Sequence, residues 1–330
     1  MKKVIVLCGG QSSEHEISCI SAGGIMKAID RNLFEPILVG IAKSGEWVIP
    51  DADQSLEIRD GALPEIRGGV SKSISEIIDE IKPEIIFPIL HGPFGEDGTI
   101  QGLFEIFGVK YVGSGVLASA VAMDKSFAKP IFSSHGLKVA PGIVIHMRDW
   151  NGSVDTSSLS YPLFVKPARG GSSRGTTKVK SPDHLAAAID EAFTFDSKVM
   201  IEEAIVGREI ECAVLQIDGV AHASPLGEIK IDPRFEFYDF EAKYLDGSTT
   251  VVLPQDLPAE EIQRAAVTAF DALGCEGLAR VDFFYSNDGS LIINEINTMP
   301  GFTSTSVYPK LWSHAGKSYS ELITALIQGA

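Results

Sequence analysis

Apolar and polar residues along the first third of the chain fall into alternating strand-like and helix-like blocks. Residues 3–7, KVIVL, form a short apolar run that ends at Gly9-Gly10, the pattern of a buried strand closed by a tight turn. Ser13 and Glu16 then stand at capping-box spacing, which predicts a helix over 14–29. The strand texture returns at 36–41 and 85–90, with a helical segment at 73–81 between them. Such alternation predicts an open parallel sheet. From residue 123 the texture changes: helical segments at 125–135 and 182–193 bracket a hairpin, and strands are expected at 199–203, 209–216 and 221–231. Boundaries near 121 and 206 divide the chain into three α/β domains, 1–121, 122–206 and 207–330. Residues 43–73 carry no recognisable motif.

Composition narrows the function. A chain of 330 residues is too long for one core, and 45% hydrophobic with 22% charged residues is ordinary globular material. A net charge of -16 argues against nucleic acid as a partner, because phosphate backbones are gripped by basic surfaces. Cys8, Cys19, Cys212 and Cys275 are scattered without a CxxC pair, so reduced thiols in a cytoplasmic protein are expected rather than a zinc site or disulfide framework. The apolar run 4–8 after Met1-Lys2-Lys3 is too short for a signal peptide, and no stretch approaches a membrane span.

The densest chemistry lies at 279–301, ARVDFFYSNDGSLIINEINTMPG. With Asp288-Gly289 as a two-residue hairpin turn, Asn287 faces Ser290, Asp282 faces Glu295 and Arg280 faces Asn297, all four of the last on one face. Opposed β-carbons in such a pair lie about 4.5 to 5.5 Å apart, where two carboxylates repel unless a cation joins them. Asp, Glu and Asn oxygens are the ligands magnesium prefers when it also holds phosphates; the alternative is a solvated hairpin edge. Three glycine-rich segments add to this. HGPFGEDGTIQG at 91–102 follows a strand, where open α/β sheets place ligands. YPLFVKPARGGSSRGTT at 161–177 reads as strand, loop, strand, with Lys166 ending the first strand and amides and hydroxyls able to cover phosphates. CGGQSSE lacks the GxGxxG spacing of a dinucleotide site. Lys125 and Lys243 add cations to an acidic chain. Residues 232–250 are long, polar and aromatic, the character of a lid. After Pro300, Gly301 and the hydroxyls of Thr303 to Ser306 can meet a carboxylate or oxyanion.

Taken in order, GGQSSEHEIS, LHGPFGEDGTIQG, MDK, FVKPARGGSSRG, IEEAIVGRE, FYDFEAKY, ARVDFF and NEINTMPGFTSTS make the chain resemble the D-alanine:D-alanine ligases of the ATP-grasp superfamily nearly end to end. The resemblance implies an N-terminal substrate domain followed by two α+β domains that clamp ATP. It implies that ATP phosphorylates one D-alanine and that the amine of a second attacks the acyl phosphate, for peptidoglycan precursor synthesis. Asp282, Glu295 and Asn297 would hold two magnesium ions, with manganese as a possible substitute. Lys125, Lys166, Ser172 and Ser173 would grip phosphates, with Lys243 in the same ATP site. Glu202 with the backbone of Ala204 and Ile205 would read adenine, and Glu209 the ribose. Glu14 would anchor the first ammonium, with His91 nearby; Arg280 and the Gly301 amide would stabilise the tetrahedral oxyanion, and Ser306 would bind the second carboxylate. Ser172 and Tyr244, with Glu209, would join lid to core, and a tyrosine at 244 accompanies dipeptide synthesis, where phenylalanine or histidine goes with D-lactate. Arg169 and Arg174 depart from the usual pattern and would add cations to nucleotide binding or to the lid. A homodimer is expected by likeness alone. The competing readings are a D-Ala:D-Ser or D-Ala:D-lactate ligase, another ATP-grasp carboxylate-amine ligase, and a nucleotide-sensing module.

Overall fold

The computed structural model of the chain describes every residue except Ala52, Ser172 and 231–249. Three sheets organise it. The first contains β1 (Lys2–Gly9), β2 (Phe34–Ile41), β3 (Trp47–Ile49), β4 (Val70–Ser71), β5 (Ile85–Pro88) and β6 (Lys110–Tyr111), in the order β4-β3-β2-β1-β5-β6. β1 is central and its apolar run has a simple cause, because both of its faces are covered. Val4, Val6 and Cys8 pack with Cys19, Ala22 and Ile25 of α1 (His15–Ala28). Ile5 and Leu7 pack with Ile77 and Ile81 of α2 (Ile74–Ile81) and with Ile100 and Phe104 of α3 (Thr99–Phe107).

The expected parallel sheet is found in β2, β1, β5 and β6, but β3 and β4 run antiparallel at its edge. They come from the stretch without a motif. Its reversal at Ala42–Glu46 is a tight turn, in which Gly45 N–H donates to Ala42 O at 2.9 Å, and a strand returning through so short a link must pair antiparallel. The capping box expected from Ser13 and Glu16 does not form: α1 is capped at Glu14 without a side-chain bond. Glu16 pairs with Lys43 instead. Ser12 Oγ accepts from Glu14 N–H at 3.2 Å and donates to His91 O at 2.7 Å. Capping boxes do close α2, at Ser73 and Glu76, and a C-terminal helix, at Ser318 and Glu321.

The second sheet is antiparallel, built from β8 (Gly142–His146), β9 (Leu163–Pro167), β10 (Thr177–Val179) and β11 (Lys198–Glu203) in the order β10-β9-β11-β8. The helix α6 (Leu185–Phe193) covers one face with Leu185, Ile189 and Phe193. Between the first two sheets lie α4 (Val116–Met123) and α5 (Lys125–Ser134) in sequence. The third sheet holds β7 (Lys138–Val139), β12 (Gly207–Ile217), β13 (Val220–Lys230), β14 (Thr250–Val252), β15 (Leu278–Ser286) and β16 (Leu291–Asn297), in the order β14-β13-β12-β15-β16-β7. Its helices are α7 (Ala259–Ala272), α8 (Val307–His314) and α9 (Tyr319–Gly329). Phe302 is fully buried and rests its ring on Phe87, Tyr308 and Tyr319 at 5.6, 5.8 and 5.6 Å between centroids, which fixes the loop after β16 to the first sheet. No helix among the described residues is long and apolar enough to cross a membrane.

Candidate active site

The β15–β16 hairpin carries the site. Arg280 pairs with Asn297 and Asp282 with Glu295, as the sequence predicts. The route to that register differs from the two-residue turn expected. Ser286 N–H bonds Ser290 O at 2.9 Å and Gly289 N–H bonds Ser286 O at 2.9 Å, so residues 287–289 form a three-residue turn with Gly289 at φ +82. Asn287 therefore does not face Ser290. The one-residue slip is undone further along, where β16 bulges at Asn294: Phe283 pairs with Ile293 but Asp282 with Glu295. The bulge lets Ile293 and Ile296 enter the core while Asn294 and Glu295 both line the cavity beside it.

The neighbouring strand extends the acidic row, since Glu211 of β12 lies opposite Asp282. Arg280 neutralises two of these carboxylates. Its Nε and Nη2 meet Asp282 at 2.7 and 2.6 Å, and Nε lies 3.2 Å from Glu211 Oε2. Asn297 Nδ2 donates to Asp282 Oδ2 at 3.1 Å. The third, Glu295, meets Lys125 Nζ at 3.0 Å. Burial would lower the Lys125 ammonium, but Glu295 and other carboxylates hold it above its ordinary value.

Two cavities meet at this hairpin. The first, of about 410 Å³, lies between the second and third sheets and is lined by Lys125, Lys166, Ser173, Glu202, Ala204, Ile205, Glu209, Asp282 and Glu295. The second, of about 330 Å³, lies between the first and third sheets and is lined by Glu14, His91, Lys125, Arg280, Glu295, Asn297, Gly301 and Ser306. Lys125, Glu295, Gly170 and Gly171 line both. Asp124 starts α5 by accepting from Ser126 N–H at 3.1 Å and pairs with Lys198, so the helix that presents Lys125 is anchored at its first turn. Lys125 also donates to Gly170 O at 2.9 Å, tying the glycine loop to the wall between the chambers.

In the first chamber Glu202 is gripped from two sides, by Lys129 and by Lys166 at 2.6 Å. Burial would raise its carboxyl, yet Lys166 and Lys129 hold it down at about 2. A carboxylate depressed from 4.5 contributes stability that is complete above that pH and lost as pH falls toward 2, here on the order of 3 kcal/mol. The stability advantage of the wild type over Glu202→Gln should therefore shrink across that window when measured by urea unfolding. A constant difference would rule the effect out. Arg169, expected to serve nucleotide or lid, is instead committed to Asp196 through its amide at 2.9 Å and its guanidinium at 2.6 and 3.2 Å. Arg174 does line the chamber.

In the second chamber Glu14 reaches from the start of α1, and His91 is buried with Nδ1 3.0 Å from Met299 O and Nε2 3.2 Å from Ser21 Oγ. The carbonyl requires a proton on Nδ1, so Nε2 accepts from the serine. Burial lowers the imidazole against the pull of Glu14, and burial with Glu14's charge pushes the Glu96 carboxyl well up. Ser306 accepts from Thr303 N–H at 3.1 Å and lies against Gly301. Gly92 has φ +74, and a β-carbon there would stand 2.7 Å from Glu14 Oε2. Gly92→Ala should displace that carboxylate and raise KM for the first amino acid about tenfold; an unchanged KM in an initial-rate titration would remove Glu14 from substrate binding.

Ser172, Lys243, Tyr244 and all but the last residue of 232–250, the stretch expected to act as a lid, lie outside the described residues. Sequence reasoning missed Lys129, Glu211 and Asn294, all of which line the first chamber. Lys129 could have been found four residues after Lys125 on the same helix, and Glu211 by alternation with Glu209.

Comparison with known proteins agrees with this geometry. The family models described as D-ala D-ala ligase N-terminus and C-terminus match residues 3–114 and 131–328. The chain is 49% identical to the D-alanine–D-alanine ligase of Paenarthrobacter aurescens over 98% of its own length and 94% of the relative's. It resembles the crystal structure of the VanG D-Ala:D-Ser ligase from Enterococcus faecalis with a TM-score of 0.81 at 35% identity, covering 99% and 98% of the two chains. It also resembles the D-alanine–D-alanine ligase of Bacillus anthracis complexed with ATP, with a TM-score of 0.78 at 28% identity and 100% and 97% coverage. Two chambers joined at a carboxylate hairpin, and family models that together span almost the whole sequence, lead to one conclusion: this chain belongs to the D-alanine–D-alanine ligase family.

Proposed function

We propose that the protein uses ATP to phosphorylate the carboxylate of one D-alanine and joins the resulting acyl phosphate to the amine of a second, releasing ADP, phosphate and D-alanyl-D-alanine for peptidoglycan precursors. The observation that carries this reading is the shared wall of Lys125, Glu295, Gly170 and Gly171, where a nucleotide in one chamber can meet an amino acid in the other. Lys125 is held there between Glu295 and Gly170 O, ready to neutralise a phosphate crossing between chambers. Lys166 reaches the same space from β9, with Ser173 in the loop beyond it. Ala204 N–H is already bonded to Pro162 O at 3.0 Å, so base recognition on this strand falls to the Ala204 carbonyl, the Ile205 N–H and Glu202. Glu209 faces the ribose.

Magnesium suits the hairpin. Asp282, Glu295 and Asn297 supply two carboxylates and an amide, and no three His, Cys, Asp or Glu side chains among the described residues could hold an ion by themselves. That is the donor set of a cation held largely by phosphates and water. When bound, it would neutralise charge as the phosphoryl group moves. Glu14 orients the first amino group, Ser306 receives the second carboxylate, and Arg280 with the Gly301 amide faces the developing oxyanion.

Purified protein given ATP, magnesium and competing D-alanine, D-serine and D-lactate should release ADP steadily and yield D-alanyl-D-alanine as the main product by mass spectrometry, with no turnover on L-alanine. A D-alanyl-D-serine product would instead favour the specificity named for the Enterococcus relative. Absence of turnover with every D-substrate would reject the ligase reading. Light scattering would test the homodimer that family likeness leads us to expect.

A further inference from the structure

Lys129 belongs to no motif discussed so far, yet it makes one of the most buried ion pairs in the molecule. Its side chain and that of Glu202 are 6% and 5% exposed. Lys129 lies on α5 one turn beyond Lys125, so the capped first turn that presents Lys125 to the shared wall also sets Lys129 behind Glu202. The two lysines on Glu202 are not equivalent. Lys166 holds Oε2 at 2.6 Å and also approaches Asn294 Oδ1 at 3.4 Å, toward the carboxylate hairpin. Lys129 holds Oε1, and among the described residues Glu202 is the only group its ammonium bonds.

We propose that Lys129 is a positioning residue for the base, fixing Glu202 as a charged acceptor so that the first chamber selects a purine with an amino group at position 6 over one with an oxygen there. This rests on the assignment of that chamber to ATP. A carboxylate buried without a counter-ion takes up a proton and can then donate as well as accept, which would suit either kind of base. An anionic carboxylate only accepts: a 6-amino group donates to it, and a 6-oxo group repels it. Lys166 cannot be relied on for this, because the same side chain must turn toward the phosphates. Once it does, Oε2 is released to face the base while Lys129 keeps Oε1 and the charge in place. Lys129 touches no substrate in this scheme and acts through Glu202.

Equilibrium binding of ATP and inosine triphosphate, measured by calorimetry without amino acid, tests this separately from ligase turnover. The wild type should prefer ATP, and Lys129→Met should reduce the ATP-to-ITP affinity ratio about tenfold. Glu202→Gln should reduce it similarly, since an amide can donate to a 6-oxo group, and Lys129→Met added to Glu202→Gln should reduce it no further. Equal loss of affinity for both nucleotides in a folded Lys129→Met would mark a purely structural lysine and overturn the proposal. So would a wild type that binds ITP as tightly as ATP. If Lys129→Met does not fold, an unchanged ratio in Glu202→Gln overturns it. Failure of ADP release with D-alanine, alongside the predicted binding ratios, would instead reject the ligase assignment and leave the base-reading role standing.

Discussion

Glu295→Gln should lower kcat about a thousandfold while the protein remains folded. The substitution keeps the shape of the side chain and removes one charge. That charge stands opposite Asp282 on the hairpin and 3.0 Å from Lys125 on the wall shared by both chambers. Its loss should be felt twice. On the proposed assignment a cation carried in with the nucleotide would lose a hard ligand, so the magnesium concentration needed for half-maximal rate should rise. Lys125, a side chain only 10% exposed, loses the nearest of the carboxylates that oppose the effect of burial on its charge. ADP release measured across a magnesium titration reads both effects. Turnover within about threefold of wild type in a folded variant would take the hairpin out of the chemistry.

Arg280→Met should cost both activity and stability. On the role proposed for Arg280 at the oxyanion, its loss should lower kcat about 10² to 10³-fold. In addition, Asp282 and the buried Glu211 would lose the guanidinium they share, at a cost on the order of 3 kcal/mol in unfolding free energy. Arg280→Lys separates the two. A lysine restores positive charge near the acids but cannot repeat the fork that meets both oxygens of Asp282, so it should recover more stability than turnover. Urea unfolding and steady-state kinetics on the same preparations make the comparison. If Arg280→Lys turned over like the wild type, the guanidinium would have no special part in the reaction.

The sequence was most legible where one element dictated its own geometry. β1 could be read because a strand covered on both faces must be continuously apolar, α1 and α2 because helical texture separates the apolar runs, and β15 because Arg280, Asp282 and Phe284 alternate cleanly with Val281 and Phe283; α3, which also covers β1, was hidden inside a stretch that reads as a glycine-rich loop. The pairing of Asp282 with Glu295 was anticipated, but through a turn that is not there; a longer turn and a compensating bulge reach the same register. A warning was present in LIINEIN. Strict alternation would set Ile293 beside Glu295 and leave Asn294 in the core, a conflict that an extra residue resolves. Contacts between distant segments were illegible. Nothing local to Arg169 announces Asp196, and nothing near Glu16 announces that Lys43 will draw it away from a cap. The two antiparallel edge strands were missed for a related reason: at three and two residues they are too short for any period to show.

The bulge makes Asn294 the one residue of this strand that the ladder itself does not count. Dropping it would leave Ile293 opposite Phe283 and Glu295 opposite Asp282 in an unbroken ribbon, with Ile296 still inward and Glu295 and Asn297 still toward the chambers. What such a shortened ribbon would lose is the amide oxygen that Lys166 approaches, not the facing of the carboxylates.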